Sequence, residues 1–220
     1  MPATGLPRII LLATLALVLR AAPGVEPCSL FEGGRVDAGL LQRMRQAAEN
    51  GRLYRVDPAV SKVGFCVRHF PGQEFRGEFT NIVGGFMFPP ILGQQSQALL
   101  LIHTASLSSE QDDLLPLVAG HKFIDTSRYP DILFVGHTAH WQTDLQGHVH
   151  GDLTLRGVTQ PVTFEVVVRA QEYGEGERPA RIHLQGRSQV ERRDFDMNSH
   201  RFFVSEIVRL CLDVELVNWK

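Results

Sequence analysis

The chain has 220 residues, 44 % of them hydrophobic, with 22 basic against 24 acidic side chains and a formal net charge of −2. That length suits one barrel or sandwich domain with a real core, and the composition argues against both a disordered chain and a polytopic membrane protein. The near-neutral charge argues against nucleic acid as a partner, because neutralising phosphates needs a basic face.

The first element in chain order reads as an address. Arg8 precedes an apolar run from Ile9 to Leu19, too short for a bilayer core of about 30 Å. Ala22-Pro23-Gly24 then offers small residues where a signal peptidase cuts. Residues 1–24 are therefore expected to be a signal peptide, which makes the protein periplasmic or secreted. An uncleaved anchor is the alternative, because Arg20 crowds the cleavage region. Residues 25–52 form an extension with one short helix. Asp37 is placed to cap it, Leu40, Leu41, Met44, Ala47 and Ala48 make an apolar stripe, and Gly51 stops it.

From Tyr54 to Trp219, period-two segments recur between clusters of Gly, Pro, Asn and Asp, which predicts one all-β unit over residues 53–220. The clearest is Gly151–Val162, GDLTLRGVTQPV, where alternation runs into a Gly-containing turn and then resumes. That is a β-hairpin signal. A second short helix is expected after Ser106-Leu107. Ser109 and Asp112 form its capping pair, Gly120 stops it, and Leu114, Leu115, Leu117 and Val118 face inward as a lid. Pro116 limits this helix to a turn or two.

On the first strand Val63, Phe65 and Val67 form the apolar face, so Cys66 points outward. On the last strand Val208, Leu210, Leu212, Val214 and Leu216 do the same for Cys211. If those strands meet in an oxidising compartment, Cys66 and Cys211 come within disulfide reach. Two separate thiols, or Cys28 in place of either partner, are the alternatives.

Four glycines fall at mid-strand inward positions: Gly77, Gly136, Gly151 and Gly186. Where a filled core would place Val, Ile or Leu, they leave room for an apolar tunnel. Glycine in barrel strands also permits sharp coiling and close backbone approach, and the residues alone leave both readings open. His148 and His150 share an outer face that His137 and Asp152 also reach, a pattern that admits zinc or copper. Ser106, Ser108 and Ser109 lack a GxSxG context, and no CxxC, HExxH or phosphate loop occurs, so no enzyme is expected.

One resemblance spans nearly the whole chain after Gly51. Tyr54-Arg55-Val56-Asp57, Ser61-Lys62-Val63-Gly64-Phe65, Phe123-Ile124-Asp125 with Tyr129-Pro130-Asp131-Ile132-Leu133-Phe134, Gly151 to Val162, and Arg192-Arg193-Asp194-Phe195 stand in order. Together they resemble the YceI-like family of exported polyisoprenoid-binding proteins. Asp196, where the family has Gly, and Phe88-Pro89-Pro90, where the family's strand ends acidic, depart from its pattern. The resemblance implies a closed, lipocalin-like antiparallel β-barrel of about eight strands that holds an isoprenoid or other lipid chain, with no other cofactor. On that reading the glycines open a tunnel walled by Phe65, Val67, Phe79, Leu100, Ile102, Phe134, Leu153, Leu155, Phe164, Val166, Leu184 and Phe195. Arg192, Asp194 and Asp125 stand at its mouth, where Arg192 either meets the ligand or pairs with a carboxylate. A transient membrane contact fits a lipid carrier, the oligomeric state stays open, and a ligand-free interaction module is the alternative function.

Overall fold

The computed structural model describes residues 36, 38–87, 97–176 and 178–219. The expected signal segment, Cys28, the Asp37 cap and Phe88-Pro89-Pro90 lie outside them. In chain order the elements are α1 (Ala38–Glu49), β1 (Leu53–Val56), β2 (Lys62–His69), β3 (Gln73–Phe79), β4 (Ile82–Met87), β5 (Ala98–His103), β6 (Leu107–Ser108), α2 (Leu115–Ala119), β7 (Asp131–Trp141), β8 (Gln146–Leu155), β9 (Val158–Tyr173), β10 (Pro179–Glu191) and β11 (Val204–Asn218). A 3₁₀ turn, Thr104–Ser106, separates β5 from β6, and another, Arg192–Phe195, separates β10 from β11.

The strands run in the order β1-β4-β5-β7-β8-β9-β10-β11, and β1 pairs back onto β11. This closes an eight-stranded antiparallel barrel, as expected. β11 is long enough to fork. Near its C-terminal end Leu216 faces Val56, while its earlier residues pair with β2, Leu210 opposite Phe65. β2 continues to β3 and β3 to β6. One end of the barrel is therefore closed by β1 and β4, and the other is walled by β2, β3 and β6.

Local sequence explains each departure from plain alternation. β5 and β7 are apolar on both faces because α1 covers their outer side, packing Leu40 and Met44 against Leu133 and Val135. Leu41 stays exposed. At the β8–β9 turn Leu155 faces Val158, and Arg156 and Gly157 both take positive φ, 54° and 73°, the type I′ geometry of a two-residue hairpin. Pro161 is tolerated within β9 because it sits where the strand pairs with β8 alone; β10 joins only from Glu165 onward.

The second helix corrects its expectation. Ser109 does not cap it; its hydroxyl donates to Arg76 O and accepts from the Gln111 N–H. Pro116 stands in the first helical turn, where a missing N–H costs nothing. The helix is five residues long and Gly120 ends it, donating to Leu117 O.

Candidate functional site

The two ends of the barrel are filled differently. Toward the end closed by β1 and β4, Tyr54, Val168, Ile182, Val214 and Leu216 are buried together as a packed core. Tyr54 Oη donates to Pro179 O at 2.8 Å, and burial raises its pKa above the ordinary 10.0. Toward the other end the inward side chains stop meeting, and a cavity of about 280 Å³ remains. That lies near the lower edge of the roughly 300–1,000 Å³ typical of small-molecule sites and far exceeds the voids of an ordinary core.

The wall comes from both storeys of the barrel. Phe65 and Val67 of β2 and Phe79 of β3 face Leu100 and Ile102 of β5, Phe134 of β7, Leu153 and Leu155 of β8, and Phe164 and Val166 of β9. All ten were expected there. Phe134 and Phe164 meet edge to face at 5.2 Å, and Phe65 lies 5.9 Å from both Phe75 and Phe79. The segment 109–130 completes the wall after β6. Leu114, Leu117, Val118, Phe123 and Ile124 line the cavity; Leu115 does not.

The four glycines do not make this space. A β-carbon at Gly77 would lie 2.5 Å from the Phe65 ring, and one at Gly186 would lie 3.2 Å from Leu212. One at Gly136 would meet Ala98 at 3.0 Å and Val149 at 3.2 Å, and one at Gly151 would meet Val135 O at 2.3 Å. Neighbours already fill every gap. Gly77, Gly136, Gly151 and Gly186 therefore serve close approach, and the void opens where large side chains end. Leu184 and Phe195 also leave the expected wall: both are buried core, outside the cavity.

The expected polar mouth is reassigned as well. Arg192 does reach the cavity wall, 2 % exposed, but its guanidinium is spent on backbone. Nε donates to Ser205 O (3.0 Å), Nη2 to Val204 O (3.2 Å), and Nη1 to Ser199 O (2.7 Å) and Met197 O. Burial lowers its pKa, with the Glu206 carboxylate opposing that effect. Carbonyls hold it, not the carboxylate that was one of its two expected partners. Asp194 is exposed, and its backbone carbonyl accepts from Gln160 Nε2. Asp125 is buried at φ 56°, its carbonyl accepting the Arg128 and Tyr129 N–H groups, so it turns the lid. Asp196 likewise takes φ 59° at the end of the second 3₁₀ turn. A left-handed position of that kind is where glycine is at ease.

Arg156 holds the lid from the other side. Its Nη1 donates to His121 O at 3.0 Å and to Phe123 O. Besides Arg192, the polar side chains on the wall among the described residues are His69 and His200. His69 Nε2 is buried without a hydrogen-bond partner among the described residues, while Nδ1 lies 3.2 Å from Phe70 O. Sequence reasoning missed both histidines: His69 is the last residue of β2 and His200 lies in the turn before β11, at φ 56°, where alternation gives no direction.

The thiols do not bond. Cys66 stands opposite Arg209 and Cys211 opposite Gly64, two register positions apart on neighbouring strands, and both are free. That diagonal separation exceeds ordinary disulfide reach. On the outer face His137 Nε2 meets Asp152 Oδ2 at 2.9 Å, but His148 stands opposite His140 in the strand register and His150 hydrogen-bonds Thr163 Oγ1. Among the described residues these histidines do not converge on a metal position.

Comparison with known proteins agrees with this architecture. A protein of Pseudomonas putida described as a UPF0312 protein is 32 % identical over 131 residues, 60 % of this chain and 62 % of its own length. This chain thus spans less than two thirds of that relative. A Vibrio parahaemolyticus UPF0312 protein is 30 % identical, covering 77 % of this chain and 88 % of its own. Protein YceI of Escherichia coli is 27 % identical over 72 % and 82 %. Among solved structures, Burkholderia cenocepacia BcnA superposes with a TM-score of 0.64 at 24 % identity, over 73 % of this chain and 98 % of that one. A polyisoprenoid binding domain from Saccharophagus degradans superposes at 0.56 and 15 % identity, over 75 % and 98 %. The model of the YceI-like domain matches residues 54–216, and the chain belongs to that family.

Proposed function

We propose that this protein binds one long apolar chain, isoprenoid in character, inside the half-hollow barrel, and shields or carries it through water. The observation that carries this reading is the cavity: about 280 Å³ whose wall, among the described residues and apart from His69, Arg192 and His200, is apolar. Left empty, such a space withholds dispersion contacts from its lining, a cost on the order of several kcal/mol. An apolar occupant restores them and contributes roughly 0.8 kcal/mol for each methylene it buries. Affinity then grows with the length of chain enclosed.

The reading also assigns a polar end. His69 Nε2, without a hydrogen-bond partner among the described residues, offers one to a head group lodged near the mouth, while Arg192, already engaged by four carbonyls, keeps the surrounding loop in place. The structural likeness to the Saccharophagus degradans polyisoprenoid binding domain supports a chain of that class. Delivery to the periplasm or cell exterior by residues 1–24 belongs to the same proposal.

Titration with the fluorescent apolar probe N-phenylnaphthylamine tests it. The expected result is saturable uptake of one probe per chain, displaced more strongly by a long polyprenol than by a short one. Absence of uptake, or displacement indifferent to chain length, contradicts the proposal.

A further inference from the structure

Three segments meet at the mouth of the cavity: 66–73, 114–123 and 197–204. They leave Phe70, Leu117, Phe202 and Phe203 in water, 71, 42, 95 and 60 % exposed. Phe70 and Phe203 lie edge to face with ring centroids 6.4 Å apart, and both also line the cavity. The wet apolar surface therefore runs without a break from rim to interior.

The same segments are cationic. They carry Arg68, Lys122 and Arg201 with His69, His121 and His200, and contain no aspartate or glutamate, although acidic side chains outnumber basic ones in the whole chain. Arg68, Lys122 and Arg201 are exposed. Acidic residues border them: Glu74, paired with Arg76 and Arg209, follows the first, Asp112 and Asp113 precede the second and buried Asp125 follows it, and Asp196 precedes the third, which Glu206, paired with Arg193, follows. The exposed phenylalanines form an apolar rim that water solvates poorly, and the cations beside it give that rim a positive charge. An anionic lipid interface complements it on both counts, taking the rings at the headgroup–acyl boundary and the cations at the phosphates.

We propose that the mouth of this barrel docks on an anionic lipid bilayer, with Phe70, Phe202 and Phe203 entering the interface and Arg68, Lys122 and Arg201 facing lipid phosphates. The proposal extends the carrier reading, because a chain passing between bilayer and cavity along this rim stays out of water. It has its own readout. Phe202, Arg201 and Lys122 do not line the cavity, so changing them tests docking apart from uptake.

The full-length Phe202→Trp chain is titrated with vesicles of phosphatidylcholine alone or of equal parts phosphatidylcholine and phosphatidylglycerol, with the wild-type chain as blank for Trp141 and Trp219. The expected result is a blue shift of the introduced indole on the mixed vesicles, weakened by salt and reduced at least tenfold in apparent affinity by Lys122→Glu with Arg201→Glu. Uptake of N-phenylnaphthylamine stays unchanged in all these variants. No blue shift, an equal shift on phosphatidylcholine alone, or indifference to the charge reversals overturns the docking proposal. A wild-type chain that takes up no probe overturns the carrier reading instead, while the indole still reports docking.

Discussion

The Phe65 ring covers Gly77: across the β2–β3 pair, a β-carbon at Gly77 would sit 2.5 Å from Phe65 Cε1 and 2.6 Å from Cζ. An aromatic ring resting on a cross-strand glycine hides bare backbone and uses the space the missing side chain leaves. The barrel's hollow therefore reflects where its large inward residues end, beyond Phe86, Val149 and Val166, and glycine sets how closely strands and rings approach.

Glycine substitutions should accordingly hurt stability before they touch binding. Gly151→Ala would press a methyl against Val135 O at 2.3 Å and Gly136 Cα at 2.8 Å, backbone atoms that cannot turn aside. A loss of about 2–3 kcal/mol is expected. Gly136→Ala meets side chains at 3.0 and 3.2 Å and should cost about 1 kcal/mol. Urea midpoints of the two variants check the order.

Filling the void should weaken uptake without unfolding the barrel. Val190 and Leu210 face the cavity and are only half-buried, which leaves room in front of them. Val190→Phe combined with Leu210→Phe is expected to weaken N-phenylnaphthylamine binding at least tenfold. The far-UV circular dichroism should stay the same, and the empty protein should melt no lower than wild type, since added apolar volume meets a void rather than a packed wall.

Arg192 should behave as a clamp. Arg192→Leu strands four carbonyls, those of Met197, Ser199, Val204 and Ser205. A cost of about 2–4 kcal/mol is expected, or roughly 4–16 °C in melting temperature for a chain of this size. Hydrogen exchange should accelerate first in residues 197–204. Arg192→Lys, which keeps the charge and loses the fork, should recover only part of the loss.

The thiols should react separately. Burial, then the neighbouring Cys211 and Glu74, push the Cys66 pKa above its ordinary 9.0. A raised pKa means less thiolate at any given pH, so at about pH 8 Cys66 should alkylate several-fold more slowly than exposed Cys211. The Cys66 rate should climb as pH rises past 9. Peptide mass spectrometry after iodoacetamide checks this, and a Cys66–Cys211 cross-linked peptide contradicts it.

Alternation made the barrel and most of its inner wall legible. It assigned Phe65, Phe134, Leu153 and Phe164 to the inside because a strand's side chains change face at every residue. Height along the barrel axis left no such trace. Leu184 faces inward like Leu153 but lies beside the packed end, and Phe195 belongs to a 3₁₀ turn where the two-residue period no longer applies. The glycine gaps misled for a related reason: a missing side chain is written in the sequence, but the ring that crosses from the next strand is not. The rim at Phe70, Phe202 and Phe203 joins two loops far apart in the chain, brought together by the pairing of Val204 with His69 and by the Phe70 N–H donating to Phe203 O.

The most direct test is a density map of the protein with a long polyprenol added. Continuous elongated density is expected from beside Phe86 and Val166, past Phe134, to the mouth between Leu117 and Phe203, with its polar end within hydrogen-bonding distance of His69 Nε2. A cavity left empty under saturating polyprenol, or density confined to the outer surface of the sheet, would contradict it.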